Sequence, residues 1–553
     1  MMLIASLWVL PAALALEPGP SAALCAEQEQ AVAALERQSS CHTVTLGQAW
    51  EQAVSTEQRA CLAKTLSEHG ISTAPMVRPG SVSYLGQPEP DTGEGDTGAD
   101  AQKDVLSTYD APYTLESENF VVHWGTENEH FDGYSDTYSR MEELLQSFED
   151  SYAHLVGLMG MADIPFMQAY KFNVYLGNTG DELPSSSGAA GYFTGDSSGN
   201  PMIMIAESTA ANSVGYMQSV IAHEFFHALQ WATGSYSYSG VSAWYWEATA
   251  CWASKQVYPE EGAYAVFLYA FANYQFYPLN YFDYPDSGLT TELHQYGAFI
   301  FPQYISEVAA DWEIIRNSWT ATSGQPDPLK VIDTYLEARG LDVVDEWARF
   351  IAHNATWDYE DNATYEYYIE AYDWIGDGEE TQWGDYGDGQ AVMTDPPGEL
   401  PRGKGSNLLY LKYPQEGDVV IEFQGEPAGS DGSAVDWRLT LAIESGNDIQ
   451  YETLPVTDNY GFHTIENGHF YDAIYLAIGA WSDDASADET FSYTWRFGVE
   501  QDDSGADTGE EAVAEKNGLC GCASTVSPLS ISWMLPLLGA CCLRRRFGVQ
   551  FQD

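Results

Sequence analysis

Positive charge is what this 553-residue chain has least of: 21 Lys and Arg stand against 82 Asp and Glu, a formal net charge of −61. Contacts to phosphate groups need those basic side chains, which argues against nucleic acid and anionic membrane surfaces as partners. Acidity of this degree suits an exported or salt-tolerant protein without naming a substrate. Cysteine is sparse too, with 8 in all. Cys25, Cys41 and Cys61 sit near the start, Cys251 alone in the middle, and Cys520, Cys522, Cys541 and Cys542 at the end. No CxxC…CxxC pair exists to hold a structural zinc, and a disulfide among the first three is expected, its pairing left open. No complete EF-hand loop occurs either. The carboxylates around Asp377, Asp385 and Asp388 are the one place noted for structural Ca2+, and otherwise read as solvated surface. The N-terminus lacks a basic region, yet MMLIASLWVLPAALALEPGP carries an apolar core and Ala13-Leu14-Ala15 as a cleavage triplet, so residues 1–15 read as a signal peptide.

Chemistry is concentrated at His223-Glu224-Phe225-Phe226-His227. Positions i and i+4 of a helix share a face, so both imidazoles can reach one metal ion, and Glu224 can act as general base on a water there. The flanking residues predict a helix, with Asn212 or Ser213 as N-cap and Gly234 as its stop. A catalytic zinc needs a third protein ligand and an open fourth position. Glu247 supplies it: a carboxylate set among Trp244, Tyr245, Trp246 and Trp252 is expensive to bury without a cation. Ser242 is placed to cap this second helix.

An HExxH helix followed by a glutamate on the next helix resembles the gluzincin metallopeptidases, the thermolysin-like families. The resemblance implies a Zn2+ ion held by His223, His227 and Glu247, with Glu224 as base. The histidine extension of the metzincins is absent. The pattern also departs from thermolysin itself, which has an asparagine before the glutamate ligand and an aspartate four residues after it. Here those positions are Trp246 and Cys251. Gluzincins supply a His or Tyr to the developing oxyanion. His294 and Tyr296, near the start of a helical stretch, are the candidates, with nothing to choose between them. Residues 202–206 read as a strand that either pairs with an extended substrate or belongs to the core.

The fold class expected is α+β: a thermolysin-like catalytic domain with a sheet-bearing N-lobe and a helical C-lobe. A small helical N-terminal module precedes it and a C-terminal β-sandwich follows. After the signal peptide come a propeptide-like module (16–84), an acidic linker (85–105), the metallopeptidase domain (106–395), the sandwich (396–499) and a second acidic linker (500–519). Period-two strands separated by Gly, Asp and Ser turns mark the sandwich. The aromatic run from Tyr359 to Trp383 either lines a substrate groove or packs in the core. Residues 520–553 combine Cys520-Gly521-Cys522, an apolar run of about 19 residues at the lower limit for a membrane span, and Arg544-Arg545-Arg546. This tail resembles the MYXO-CTERM sorting signal, which implies processing near the cysteines and attachment to the cell surface. The whole layout is similar to that of a family of myxobacterial zinc metalloproteases. The expectation is an exported, surface-anchored zinc endopeptidase acting on proteins or peptides. An aminopeptidase and an adhesion protein with a structural or vestigial zinc site are the alternatives; the GxMEN-like motif of the former is missing.

Overall fold

Apolar runs without polar alternation build the first sheet. The computed structural model describes residues 103–499, apart from 181–182, 187, 197, 284–289, 321–323, 373–386, 389, 397 and 413–415. The signal peptide, the helical module, most of the first linker, the second linker and the sorting-like tail therefore lie outside the described residues. Strands β1 (Asp104–Val105), β2 (Tyr113–Glu116), β3 (Phe120–Trp124), β4 (Tyr170–Gly177), β5 (Gly191–Gly195) and β6 (Pro201–Ala206) form a sheet ordered β2-β3-β4-β6-β5, with β1 paired to β4. β3, β4 and β6 run parallel. Every residue of β3 and β6 is buried, which is why these strands read as continuous apolar runs. The amphipathic helix α1 (Tyr134–Tyr152) is the crossover between β3 and β4.

β6 leads through a short turn of helix into α2 (Val214–Thr233). Ser213 caps it, its hydroxyl accepting from the Tyr216 amide at 3.3 Å, and Gly234 ends it in the left-handed region at φ 60°. The two phenylalanines of HEFFH look to opposite sides. Phe225 packs on the sheet, its ring 5.4 Å from Phe120 and 6.3 Å from Phe172. Phe226 meets the helical lobe, 6.1 Å from Trp252 and 6.5 Å from Trp319. The helix is thus wedged between sheet and helices, which leaves His223 and His227 to face α3 (Ala243–Val257). Ser254 Oγ of α3 donates to the Ser219 carbonyl of α2 at 2.8 Å, a bond that small residues along α3 make reachable. Helices α4 (Glu313–Thr320), α5 (Pro328–Glu337), α6 (Val343–His353) and α7 (Asn362–Tyr372) complete this lobe. Tyr359 and Tyr365, from the aromatic run, are buried in its core.

The following residues form two facing five-stranded sheets. One has the order β13 (Val456–Thr457), β14 (Tyr460–Ile465), β10 (Val419–Gly425), β16 (Tyr493–Val499), β8 (Gln390–Thr394). The other runs β12 (Asp448–Leu454), β11 (Asp436–Ser445), β15 (Ala473–Trp481), β9 (Gly405–Lys412), β7 (Gly387–Asp388). Val419, Ile421 and Phe423 from one sheet meet Leu439, Leu441 and Leu476 from the other in a second core. The sheets take in β7 and β8, so the boundary expected after residue 395 falls too late. These strands hydrogen-bond to β9 and β16 and belong with them.

A mixed α+β architecture is what the chain adopts. One open alternative is resolved and two local expectations need correction. Residues 202–206 are an interior strand: β6 lies between β4 and β5, and β5 forms the sheet's edge on that side. Ser242 stands at the N-cap position of α3 but caps nothing with its side chain, because its hydroxyl donates back to the carbonyls of Ser237 and Ser239. The third concerns His294 and is described with the site. Among the described residues, no helix is long and apolar enough to cross a membrane.

Candidate metal centre

His223 and His227, one helical turn apart on α2, point their Nε2 atoms at Glu247 of α3. The two Nε2 atoms are 3.0 Å apart. Glu247 Oε2 lies 3.1 Å from that of His223 and 3.5 Å from that of His227. All three side chains are buried, and theirs is the only such cluster of potential ligands among the described residues. Asp377 and Asp385, noted for calcium, lie outside the described residues, as does the side chain of Asp388.

The groups behind the histidines decide which nitrogen carries a proton. Gln230, on the next turn of α2, donates through Nε2 to the Trp246 carbonyl at 3.0 Å and to Thr249 Oγ1 at 2.9 Å. Its carbonyl oxygen is therefore the atom 2.6 Å from His227 Nδ1, and it accepts from an Nδ1–H. His227 Nε2 is left with its lone pair aimed at the centre. Thr249 is pinned in turn, donating to the Tyr245 carbonyl at 2.6 Å and accepting from Trp319 Nε1 at 3.1 Å. Behind His223, Cys251 Sγ stands 3.5 Å from Nδ1. The Trp246 ring stacks on that of His227, 6.1 Å between centroids.

Electrostatics couple Glu247 to the two histidines. Burial alone would lower the pKa of His227, yet the charge and hydrogen bond of Glu247, with Glu224 and Gln230 adding, carry it above its ordinary value. Burial alone would raise Glu247, but the charge of His227 and hydrogen bonds from both histidines hold it below the usual carboxylate range. Both shifts describe one buried pair, in which Glu247 stays ionised because the imidazoles beside it favour its charge. Two imidazole nitrogens and a carboxylate oxygen are also the donor set that zinc takes in catalytic sites. The residues fit a metal ion.

The centre opens on a cavity of about 60 Å3 lined by His223, Glu224, Cys251 and Tyr296, with Tyr216, Val220, Tyr264 and Phe267 among its walls. Tyr296 stacks on His223, 6.2 Å between centroids. His294 is not there. It is fully buried between Phe271 and Tyr281, at 5.0 and 5.8 Å, and neither ring nitrogen has a hydrogen-bond partner. Burial pushes its pKa down to about 3. Two residues apart on a helix, these side chains leave in nearly opposite directions, and only that of Tyr296 faces the cavity. Edge strand β5 runs alongside: a Cβ on Gly191 would lie 3.0 Å from Glu224 Cγ and 3.1 Å from Val220 Cγ1. Sequence reasoning missed Gln230, Gly191 and the cavity walls. Of these, only Gln230 left a trace, as an uncharged polar residue in the apolar helix three positions after His227.

A family model covers residues 90–498. The chain belongs to DUF6055, a family of unknown function. The DUF6055 match takes in the metal centre and both sheets of the sandwich. No curated protein matches the sequence. Among solved structures, the pre-peptidase C-terminal domain of a Bacillus anthracis collagenase is 11% identical, covering 21% of this chain and 97% of its own, at a TM-score of 0.16. A family GH115 4-O-methyl-α-glucuronidase, BtGH115A, with specificity for decorated arabinogalactans, is 9% identical over 55% of this chain and 46% of its own, at 0.13. At such TM-scores neither likeness bears on the architecture or chemistry of this DUF6055 chain.

Proposed function

We propose that the chain is a zinc-dependent endopeptidase of gluzincin type, with a thermolysin-like catalytic domain. The observation that carries this reading is the convergence of His223, His227 and Glu247 at one buried point, with Glu224 and Tyr296 on the cavity beside it. A zinc ion held there would acidify a water and polarise a substrate carbonyl. Glu224 would serve as the general base and acid, accepting a proton from the attacking water and passing it to the leaving amine. Tyr296 presents its hydroxyl to the carbonyl oxygen as negative charge develops there. Gln230 and Cys251 stand behind the histidines, and the aromatic walls keep bulk water from the reacting groups. β5, which ends the sheet beside Glu224, is the element assigned to pair with an extended peptide, in the role first considered for residues 202–206.

Export and surface attachment belong to the same proposal. They rest on the signal-like start and the tail with Cys520-Gly521-Cys522, an apolar run and three arginines. The sequence ahead of the peptidase domain, with its pattern of short amphipathic helices, fits a propeptide. Zinc content and cleavage of casein or a peptide library, measured on wild type and Glu224→Gln, test the central claim. Wild type should carry one zinc and cleave, and the variant should carry zinc and not cleave. A wild type that binds zinc yet cleaves no better than the variant removes the enzyme reading in favour of an adhesion protein.

A further inference from the structure

Zinc histidines commonly donate their outer N–H to a carboxylate, which adds negative charge behind the ion. Neither histidine has one here. Behind His227 stands a carboxamide at 2.6 Å, and behind His223 a thiol at 3.5 Å. Both are buried: Gln230 is 0% exposed and Cys251 4%. Gln230 cannot rotate without breaking its bonds to the Trp246 carbonyl and to Thr249, which belong to the helix that carries Glu247. One side chain therefore ties His227 to the backbone next to the third ligand. Cys251 does the same from the other end, standing on α3 one helical turn after Glu247 and reaching across to His223 of α2.

We infer that Gln230 and Cys251 are positioning residues for the metal, holding both imidazoles with Nδ1 protonated and Nε2 toward the ion while adding no charge of their own. Among the described residues, Glu247 and Glu224 are then the carboxylates beside the ion, and the geometry of the site is fixed jointly by α2 and α3. The inference rests on the metal-binding part of the proposed function and not on peptide cleavage.

The test uses the full chain, with zinc affinity read by chelator competition, the visible absorption of the Co2+-substituted protein, and the thermal unfolding of each metal-free variant. Cys251→Ala and Gln230→Met should each weaken zinc binding by roughly 10–100-fold. Metal-free Cys251→Ala should melt close to metal-free wild type, whereas Gln230→Met, which gives up the bonds to the Trp246 carbonyl and Thr249, should melt lower. Cys251→Asp should restore zinc affinity to at least the wild-type level and shift the Co2+ absorption, because an anion now stands behind His223. Unchanged zinc affinity in Cys251→Ala overturns the inference, as does a Cys251→Asp protein as weak as the alanine variant, since the position would then serve packing alone. Should Gln230→Met fail to fold, the Cys251 pair decides. Zinc bound with no cleavage removes the peptidase reading and leaves this one standing; no zinc bound at all removes both.

Discussion

In the proposed mechanism Glu224 moves a proton and Tyr296 meets developing charge, and the two contributions should separate in kinetics. Glu224→Gln keeps the shape and the zinc, and should lower kcat by roughly 10²–10⁴-fold. Tyr296→Phe should lower kcat by roughly 10²–10³-fold with KM little changed, since the hydroxyl acts only as the oxyanion forms. His294→Phe should leave kcat alone and act on stability. The folded-state pKa of His294 is about 3 against an ordinary 6.5, so the unfolded chain binds the proton more readily over that interval. Stability from keeping the ring neutral is complete above about pH 6.5 and is lost as pH falls toward 3. The phenylalanine removes that loss, and its gain in Tm should be larger near pH 5 than near pH 8; an equal gain at both would show that the histidine is not kept neutral by burial. At this scale much of the site was legible. The spacing of His223, Glu224 and His227 is local, and Glu247 is marked by its apolar neighbours. The choice between His294 and Tyr296 was not, because it depends on which face of a short helix meets the cavity.

Elements bring these residues together, and their arrangement was less readable than their existence. The HEFFH helix stands where apolar pattern and capping placed it, and α3 and the parallel strands where apolar pattern alone did. Sheet order did not follow, since a fully apolar run says that a strand is buried and not which strands flank it. β5, with the sequence GYFTG, is short and carries two glycines, so it left little propensity signal. β12 and β14 escaped for another reason: they lie near the sheet rims with much polar, exposed sequence. β5 matters most for the proposed function, because its Gly191 gives Glu224 its space. An alanine there would press on Glu224 Cγ at 3.0 Å and on the Met204 carbonyl at 3.2 Å, so the carboxylate must move by tenths of an ångström. Gly191→Ala should therefore reduce kcat/KM by roughly tenfold through misplacement of the base. Its zinc affinity should match wild type, because the ligands sit on α2 and α3; a variant that loses zinc instead would show that β5 shapes the metal site itself.

In the whole molecule, the sandwich was expected as an appended module, and the seam it makes with the helical lobe argues for closer union. Trp347 of α6 lies over Gly479 of β15, where an added Cβ would be 2.5 Å from the indole, and its ring is 5.3 Å from Trp481. His353 of the same helix stacks on Tyr451 of β12 at 3.8 Å, and Tyr451 also donates to Asp358. Arg438 of β11 reaches Asp345 of α6 at 3.4 Å. A helix that buries its apolar face against the sandwich cannot keep that face covered once the sandwich is gone. The family match running from 90 to 498 across both parts agrees with a single inherited unit. Trp347→Ala should therefore destabilise the protein by about 3–5 kcal/mol, as for other large aromatic truncations in a core. It should do so in one cooperative denaturant transition read both by tryptophan fluorescence and by zinc release. Two transitions, with zinc release unmoved from its wild-type midpoint, would make the sandwich an independent attachment, because a lobe that does not need the seam would not feel its loss.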